Sequence, residues 1–395
     1  MVLGQGMAGA TSLAVVRDLG RAGIPVVSFS TSHLNPTRHS RYCSFRHCPD
    51  ADTEPAALLD SLIAESRKHA EPCVLFAIGD AEASFVARHA CQLRRKFLFP
   101  SLPLPLLDSL LDKHTQLEMV RGLGVDVPAT VCPANSEEAE CIARELGFPL
   151  FIKPRIARRW PYLGRNKGFV VRNTDELRQR LRWTFDAGFP VLVQSIVQGP
   201  ETNLCSVYCY LGDNAPDAAC AYRILRKYPA GFGFGVFAES VLDPMLTTCA
   251  LHLLRHLGVR GVAEIEFKRD DRDGKWKLIE INPRFTLQHG LVSAAGMNLA
   301  SLQYFDLLGS SPASSPEYQA GVRWVMGGLD AQASLGQWRR GELSIAQWAR
   351  SFHGLRAEAL FARDDPAPAL AYLSRAPRYL FETLAHQLTS SRNTL

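Results

Sequence analysis

The stretches Val262-Ala263-Glu264-Ile265-Glu266-Phe267 and Leu278-Ile279-Glu280-Ile281-Asn282-Pro283-Arg284 carry the densest set of candidate chemical groups in the chain. Residues two apart on a strand share a face. Glu264 and Glu266 therefore lie together, as do Glu280 and Asn282 on a partner strand, with Asp273-Gly274 supplying the turn of a hairpin. Symmetric closure about Asp271–Arg272 sets Glu264 opposite Glu280, with Glu266 diagonal to Glu280 at about 7–8 Å between backbones. Carboxylates so close repel one another unless a cation sits between them. Hard oxygen donors suit Mg²⁺, which fills the rest of its shell with water and phosphate oxygens. Glu266, Glu280 and Asn282 are the expected metal ligands.

Only nine of the 44 basic residues are lysine, so a lysine in a telling place carries information. Lys153 ends the apolar run Leu150-Phe151-Ile152-Lys153-Pro154, where a buried ammonium must find an anion. Lys113 opens a helix of the preceding segment. No Walker A sequence is present, so phosphate recognition falls to lysines of this kind rather than to a P-loop. Gln194-Ser195-Ile196-Val197 leaves a buried strand and bends at Gly199. Such an extended segment offers backbone groups to an adenine edge, Gln194 adds a side-chain contact, and Glu201 can accept from ribose hydroxyls.

Taken in order, Lys113, Lys153, Gln194 to Glu201, Glu266 and Glu280-x-Asn282 resemble the ATP-grasp superfamily, with Asn282-Pro283-Arg284 similar to the large chain of carbamoyl-phosphate synthetase. D-alanine ligase and biotin carboxylase are further members, and Arg226-Lys227-Tyr228-Pro229 resembles a stretch of carboxylate–amine ligases within the group. The resemblance implies an ATP-dependent ligase that activates a small carboxylate as an acyl phosphate for capture by an amine. Lys113 and Lys153 would contact the ATP phosphates, Gln194, Ser195, Ile196 and Val197 would hold adenine above Ile279, and Glu201 would bind ribose. Glu266, Glu280 and Asn282 would carry one or two Mg²⁺, with Mn²⁺ as an alternative. Arg284 would face the transferred phosphoryl group, and Lys153, Arg226 and Lys227 would assist. Gln288 and His289, beyond Arg284, would help to form the substrate pocket. The lid loop departs from the family's usual Gly and Ser: Arg155 to Gly168 is bulky and basic. Glu264 stands where some members have arginine. An ATP-binding regulatory module without turnover is the alternative reading.

The elements that must position these groups follow from the pattern. Strands and helices alternate through the first hundred residues, which predicts an α/β, Rossmann-like domain over 1–105 with a parallel sheet. Helices are expected over Pro55–His69 and Ala81–Leu93, with a strand over Cys73–Ile78. Gly4-Gln5-Gly6-Met7-Ala8-Gly9 matches a dinucleotide fingerprint, yet no acid follows the second strand until Asp50, so the glycines read as a tight turn that holds no nicotinamide. The Pro-rich 99–105 segment ends this domain. An α+β ATP-grasp domain with a lid at about 115–195 is expected over 106–310, and a Ser/Pro-rich linker then leads to a mainly helical extension over 311–395, with an amphipathic helix over Leu370–Leu388.

Composition narrows the rest. With 395 residues, 47% apolar content and a net charge of +5 without a Lys/Arg tract, the chain reads as several globular domains with no nucleic-acid partner. No run approaches the ~18 apolar residues of a membrane helix, and the first residues lack an export signal. A cytoplasmic protein with ten free thiols, compatible with a homodimer, is expected. Cys43, Cys48, His39 and His47 fit no standard zinc spacing.

Overall fold

The computed structural model describes residues 1–100, 102–160, 167–310 and 316–374. The stretch 161–166, the linker core 311–315 and the part of the expected Leu370–Leu388 helix beyond Ser374 lie outside the described residues.

The N-terminal domain holds a parallel sheet in the order Cys43–His47, Val26–Ser30, Val2–Leu3, Phe76–Ala77. Helix Ala10–Arg21 follows the glycine turn. Gly4, Gly6 and Gly9 all have positive φ, and a Cβ on Gly9 would lie 2.2 Å from the ring of Pro36, so packing alone demands the glycine. The strand expected over Cys73–Ile78 is split. Cys73–Val74 pairs with Phe97–Leu98, whereas Phe76–Ala77 joins the main sheet. Helix Pro55–Ser66 stops short of His69, and the next helical stretch is broken into Asp80–Arg88 and Ala90–Leu93.

The segment expected as a lid holds an antiparallel sheet in the order Thr130–Val131, Val191–Ser195, Leu150–Pro154, Phe169–Val171. Leu150, Ile152, Val171, Val191 and Val193 share a core with Ile142, Leu177 and Leu181 of helices Ala139–Leu146 and Thr174–Asp186. Strand alternation then sends Phe151, Lys153, Leu192 and Gln194 to the opposite face, away from the helices. Trp160 closes this core against Phe169, Trp183 and Phe189.

A seven-stranded sheet forms the body, in the order Trp276–Asn282, Gly261–Arg269, Leu204–Leu211, Ala218–Tyr228, Phe234–Val241, Arg323–Val325, Leu355–Glu358. Strand Leu204–Leu211 is buried throughout because both its faces are covered: Tyr208 and Tyr210 enter one core, Val207 and Cys209 the other. Two of the seven strands come from beyond residue 310, in a stretch expected to be mainly helical, and were not anticipated there. Helices Gly327–Arg339, Ile345–Ser351 and Ala367–Leu373 are present. Strands Arg323–Val325 and Leu355–Glu358 are three and four residues long, too short to show a period of two in the sequence.

After Leu355–Glu358 the chain returns to the N-terminal domain. Arg17 donates to Asp365 at 3.0 Å and to the carbonyl of Leu360 at 2.7 Å, with both charged side chains almost wholly buried. Arg21 and Tyr42 hold Asp364 beside it. Among the described residues no helix is long and apolar enough to cross a membrane.

Candidate active site

The hairpin forms as expected, but in a different register. Glu264 lies opposite Asn282 and Glu266 opposite Glu280, with an irregularity between Glu266 and Phe267 that leaves Ile279 as the extra residue. The turn occupies Asp270–Lys275, where Asp270 is gripped by Arg272 and Lys277. Symmetric closure about Asp271–Arg272 fails on two counts: the turn-side pairs, from Phe267–Leu278 to Arg269–Trp276, centre on Arg272–Asp273, and the bulge then shifts every pair on the site side further. The face still holds four oxygen-bearing side chains.

Helix Lys113–Gly122 brings Lys113 to this face. Asp112 caps it, accepting from the backbone of His114 and Thr115. Buried Gln116 locks the helix to the hairpin, donating to Ile281 O at 2.7 Å and accepting from Ile281 N at 2.8 Å. The Lys113 ammonium then meets the Glu280 carboxylate. Asp112 also binds Arg155 of the lid bidentately, which ties helix and lid at their junction.

Lys153 comes from the lid face turned away from those helices and is 7% exposed. Burial, with Lys113 adding repulsion, lowers it to about 7, although Glu280 and Glu266 oppose the shift. Lys227 is lowered to about 8, again chiefly by burial and against the pull of Glu266. Burial works against ionised Glu280 too, but Lys113, Lys167 and Lys153 together hold it down at about 2. Four of the nine lysines thus surround Glu266 and Glu280, and the cleft gains an excess of positive charge when Lys153 and Lys227 are protonated. Lys167, on the basic loop, was not singled out in the sequence because a loop residue has no periodicity to place it. Scarcity of lysine was the one available signal.

Glu264 is 3% exposed, accepts from the Tyr222 hydroxyl and receives the Asn282 amide at 3.3 Å. Burial and then Glu266 raise it to about 8. Arg284 pairs with Asp80 of the N-terminal domain, and its guanidinium is held well above the usual range by Asp80, Glu280 and Glu264 despite burial. Next to Asp80, burial pushes Glu82 up to about 7, where it packs against Gly4 and Gly79.

In the linker segment, Gln194 is buried and donates to Thr130 at 2.9 Å. Ser195 N bonds Ala129 O, Val197 O accepts from Lys268 at 2.8 Å, and Ile196 O accepts from the side chains of Gln198 and Arg272. Glu201 accepts from Gly231 N, in the loop that presents Phe232. That ring stacks on Phe151, two residues from Lys153, at 3.9 Å between centroids. Ile279 is partly buried against the main core.

Two expected residues lie elsewhere. Arg226 is buried in a bidentate pair with Asp330 and packs over the ring of Phe237 at 4.2 Å. Register shifts on both sides of Arg226 send its side chain away from that of Lys227. Asp330→Ala, which strands this guanidinium, is expected to cost about 3–5 kcal/mol of stability while leaving nucleotide affinity unchanged, as denaturant titration and calorimetry would show. His289 is fully buried 2.9 Å from Asp18 of helix Ala10–Arg21, so it joins domains rather than lining the site. Gln288 is buried, donating to Gly235 O. Among the described residues no group of three His, Cys, Asp or Glu forms a metal cluster, and His47 stacks on His33 instead.

The oxygen donors fit a hard divalent ion: Glu266 faces Glu280 directly, and Asn282 follows on the same face. Lys113 neutralises Glu280 in this structure, and a polyphosphate drawing that lysine away would leave the oxygens to a cation.

Residues 239–304, which contain the whole hairpin, match the model of the carbamoyl-phosphate synthase L chain, ATP binding domain. The chain is 24% identical over 301 residues to D-aspartate ligase of Enterococcus faecium, covering 72% of this chain and 71% of the relative. It is 28% identical over 209 residues to the carbamoyl phosphate synthase large chain of Rubrobacter xylanophilus, covering 50% of this chain but only 19% of that longer protein. Among solved structures, N5-carboxyaminoimidazole synthetase from Staphylococcus aureus complexed with ADP superposes with a TM-score of 0.60 at 15% identity, covering 80% of this chain and 78% of its own.

Proposed function

We propose that this chain, whose fold is that of the ATP-grasp ligases, joins a small carboxylic acid to an amine, with an acyl phosphate as the intermediate and ADP and phosphate as products. The observation that supports it most is the carboxylate pair Glu266–Glu280 faced by Lys113, Lys153, Lys167 and Lys227. Such a site binds a polyphosphate and its metal together. The likeness to D-aspartate ligase favours an amino acid as one of the two substrates.

Lys113, Lys153, Lys167 and Lys227 bind and orient the phosphates, and their charge offsets what accumulates on the transferred group. Glu266, Glu280 and Asn282 would hold Mg²⁺, which would supply electrostatic neutralisation of the phosphates. Phe151 and Phe232 offer aromatic faces beside Lys153, the 194–197 segment offers polar backbone, and Glu201 is the ribose acceptor. Arg284, pinned by Asp80, presents a fixed cation at the end of the hairpin where the acid's carboxylate attacks the γ-phosphorus. Closure of the lid excludes water, which would otherwise hydrolyse the acyl phosphate before the amine arrives.

Pairs of amino acids and simple acids are screened for ADP release, and the active acid is then supplied with ¹⁸O in its carboxylate. One labelled oxygen is expected in the phosphate released, together with an amide product. Phosphate that carries no label rules out the acyl phosphate. Magnesium-dependent ATP binding with no ADP formed for any pair favours the regulatory alternative.

A further inference from the structure

A cleft of about 330 Å³ separates the N-terminal domain from the body, at the small end of the ~300–1,000 Å³ range of ligand sites. Its walls include Leu75, Val86, Phe99, Leu107, Val262 and Phe285. Among the described residues that line it, the ionisable ones are all arginines: Arg94, Arg260 and Arg284.

We propose that this cleft binds an amphipathic monoanion, an apolar carboxylate whose head meets Arg94 and whose body fills the interior. The choice of Arg94 follows from what the other two arginines already hold. Arg284 is paired with Asp80, and Arg260 binds Asp213 at 2.9 Å. Arg94 has no carboxylate partner among the described residues and lies over the Phe99 ring, 4.5 Å from its centroid. An apolar cation would meet the uncompensated charge of Arg94, and a neutral apolar body would leave Arg94 without an anion. The helix Asp80–Arg88 supplies Ala83, Val86 and Ala87 to one wall and begins at Asp80, the residue that pins Arg284. A ligand in the cleft therefore touches the element that orients the active-site arginine. None of this depends on which reaction the hairpin serves.

The probe is 1-anilinonaphthalene-8-sulfonate, an apolar monoanion whose fluorescence rises in a dry site, titrated into the full chain. Saturable binding is expected, with displacement by decanoate at concentrations at which decylamine has no effect. Ala87→Trp, which fills the cleft, is expected to weaken binding at least about tenfold, and Arg94→Gln about three- to tenfold. Stabilisation of both variants by ATP should equal that of the wild type, which shows that they are folded. Arg94→Gln alters an exposed side chain and keeps the test available if the tryptophan variant does not fold. Undiminished probe binding in Arg94→Gln, or equal displacement by decylamine, overturns the proposal.

Discussion

Glu280→Gln is expected to lose the magnesium-dependent part of ATP binding while retaining metal-free binding. Glu280 is held at about 2 by Lys113, Lys167 and Lys153 against the effect of burial, so it carries its full charge at any working pH. The amide keeps the shape and removes that charge from the position facing Glu266. Thermal midpoints in ATP with MgCl₂ and in ATP with EDTA should differ for the wild type and coincide for the variant. Metal-free ATP should bind the variant at least as tightly as the wild type, because a negative charge facing the polyphosphate has gone. Phosphate release with an active acid–amine pair should fall by roughly 10²–10³, the usual loss when one preorganised electrostatic contact is removed. Wild-type release by this variant would end the metal assignment.

The second large effect combines a gain with a loss. Lys153→Met should stabilise the protein without nucleotide and weaken ATP binding about 10- to 100-fold, the equivalent of one charged hydrogen bond. Burial and Lys113 lower the Lys153 ammonium from 10.5 to about 7. That shift opposes folding by on the order of 4 kcal/mol at pH 7. Between about 7 and 10.5 the unfolded chain binds the proton that the folded chain has released, so this group makes stability rise with pH across that window. The penalty is present in full below about 7. Methionine removes it, and a net gain of ~1–4 kcal/mol is expected, with a flatter pH dependence between 7 and 10 in denaturant titrations. Calorimetry at pH 8 in buffers of different ionisation enthalpy should find roughly one proton taken up per ATP by the wild type and less by the variant. The site is therefore built at the expense of the resting fold.

The hairpin could be read from sequence because its chemistry obeys a period of two: Glu264 with Glu266, and Glu280 with Asn282, share faces whatever the register. The register itself could not, since a bulge at Ile279 leaves no compositional mark. Lys153 was legible for a related reason, as a single charge at the end of an apolar strand. Lys227 and Arg226 show the limit. Adjacent basic residues on a strand cannot both face one ligand, and which of them does so depends on Asp330, 104 residues further on, which captures Arg226. The parallel sheet of the first domain followed from its alternating pattern, while the strands at 323–325 and 355–358 join the large sheet through pairing that no local signal announces. His289 was drawn toward the site by its place in the sequence and taken away from it by Asp18.

The pairing of Arg17 with Asp365 spans 348 residues of chain. At ~5–20 residues per second of synthesis, the guanidinium waits from about twenty seconds to more than a minute for its carboxylate to leave the ribosome. Throughout that interval the first domain exists as a nascent unit with an unneutralised cation on a surface destined to be sealed. The sealing of that surface therefore waits for the segment around Asp365, and joins two widely separated parts of the described chain.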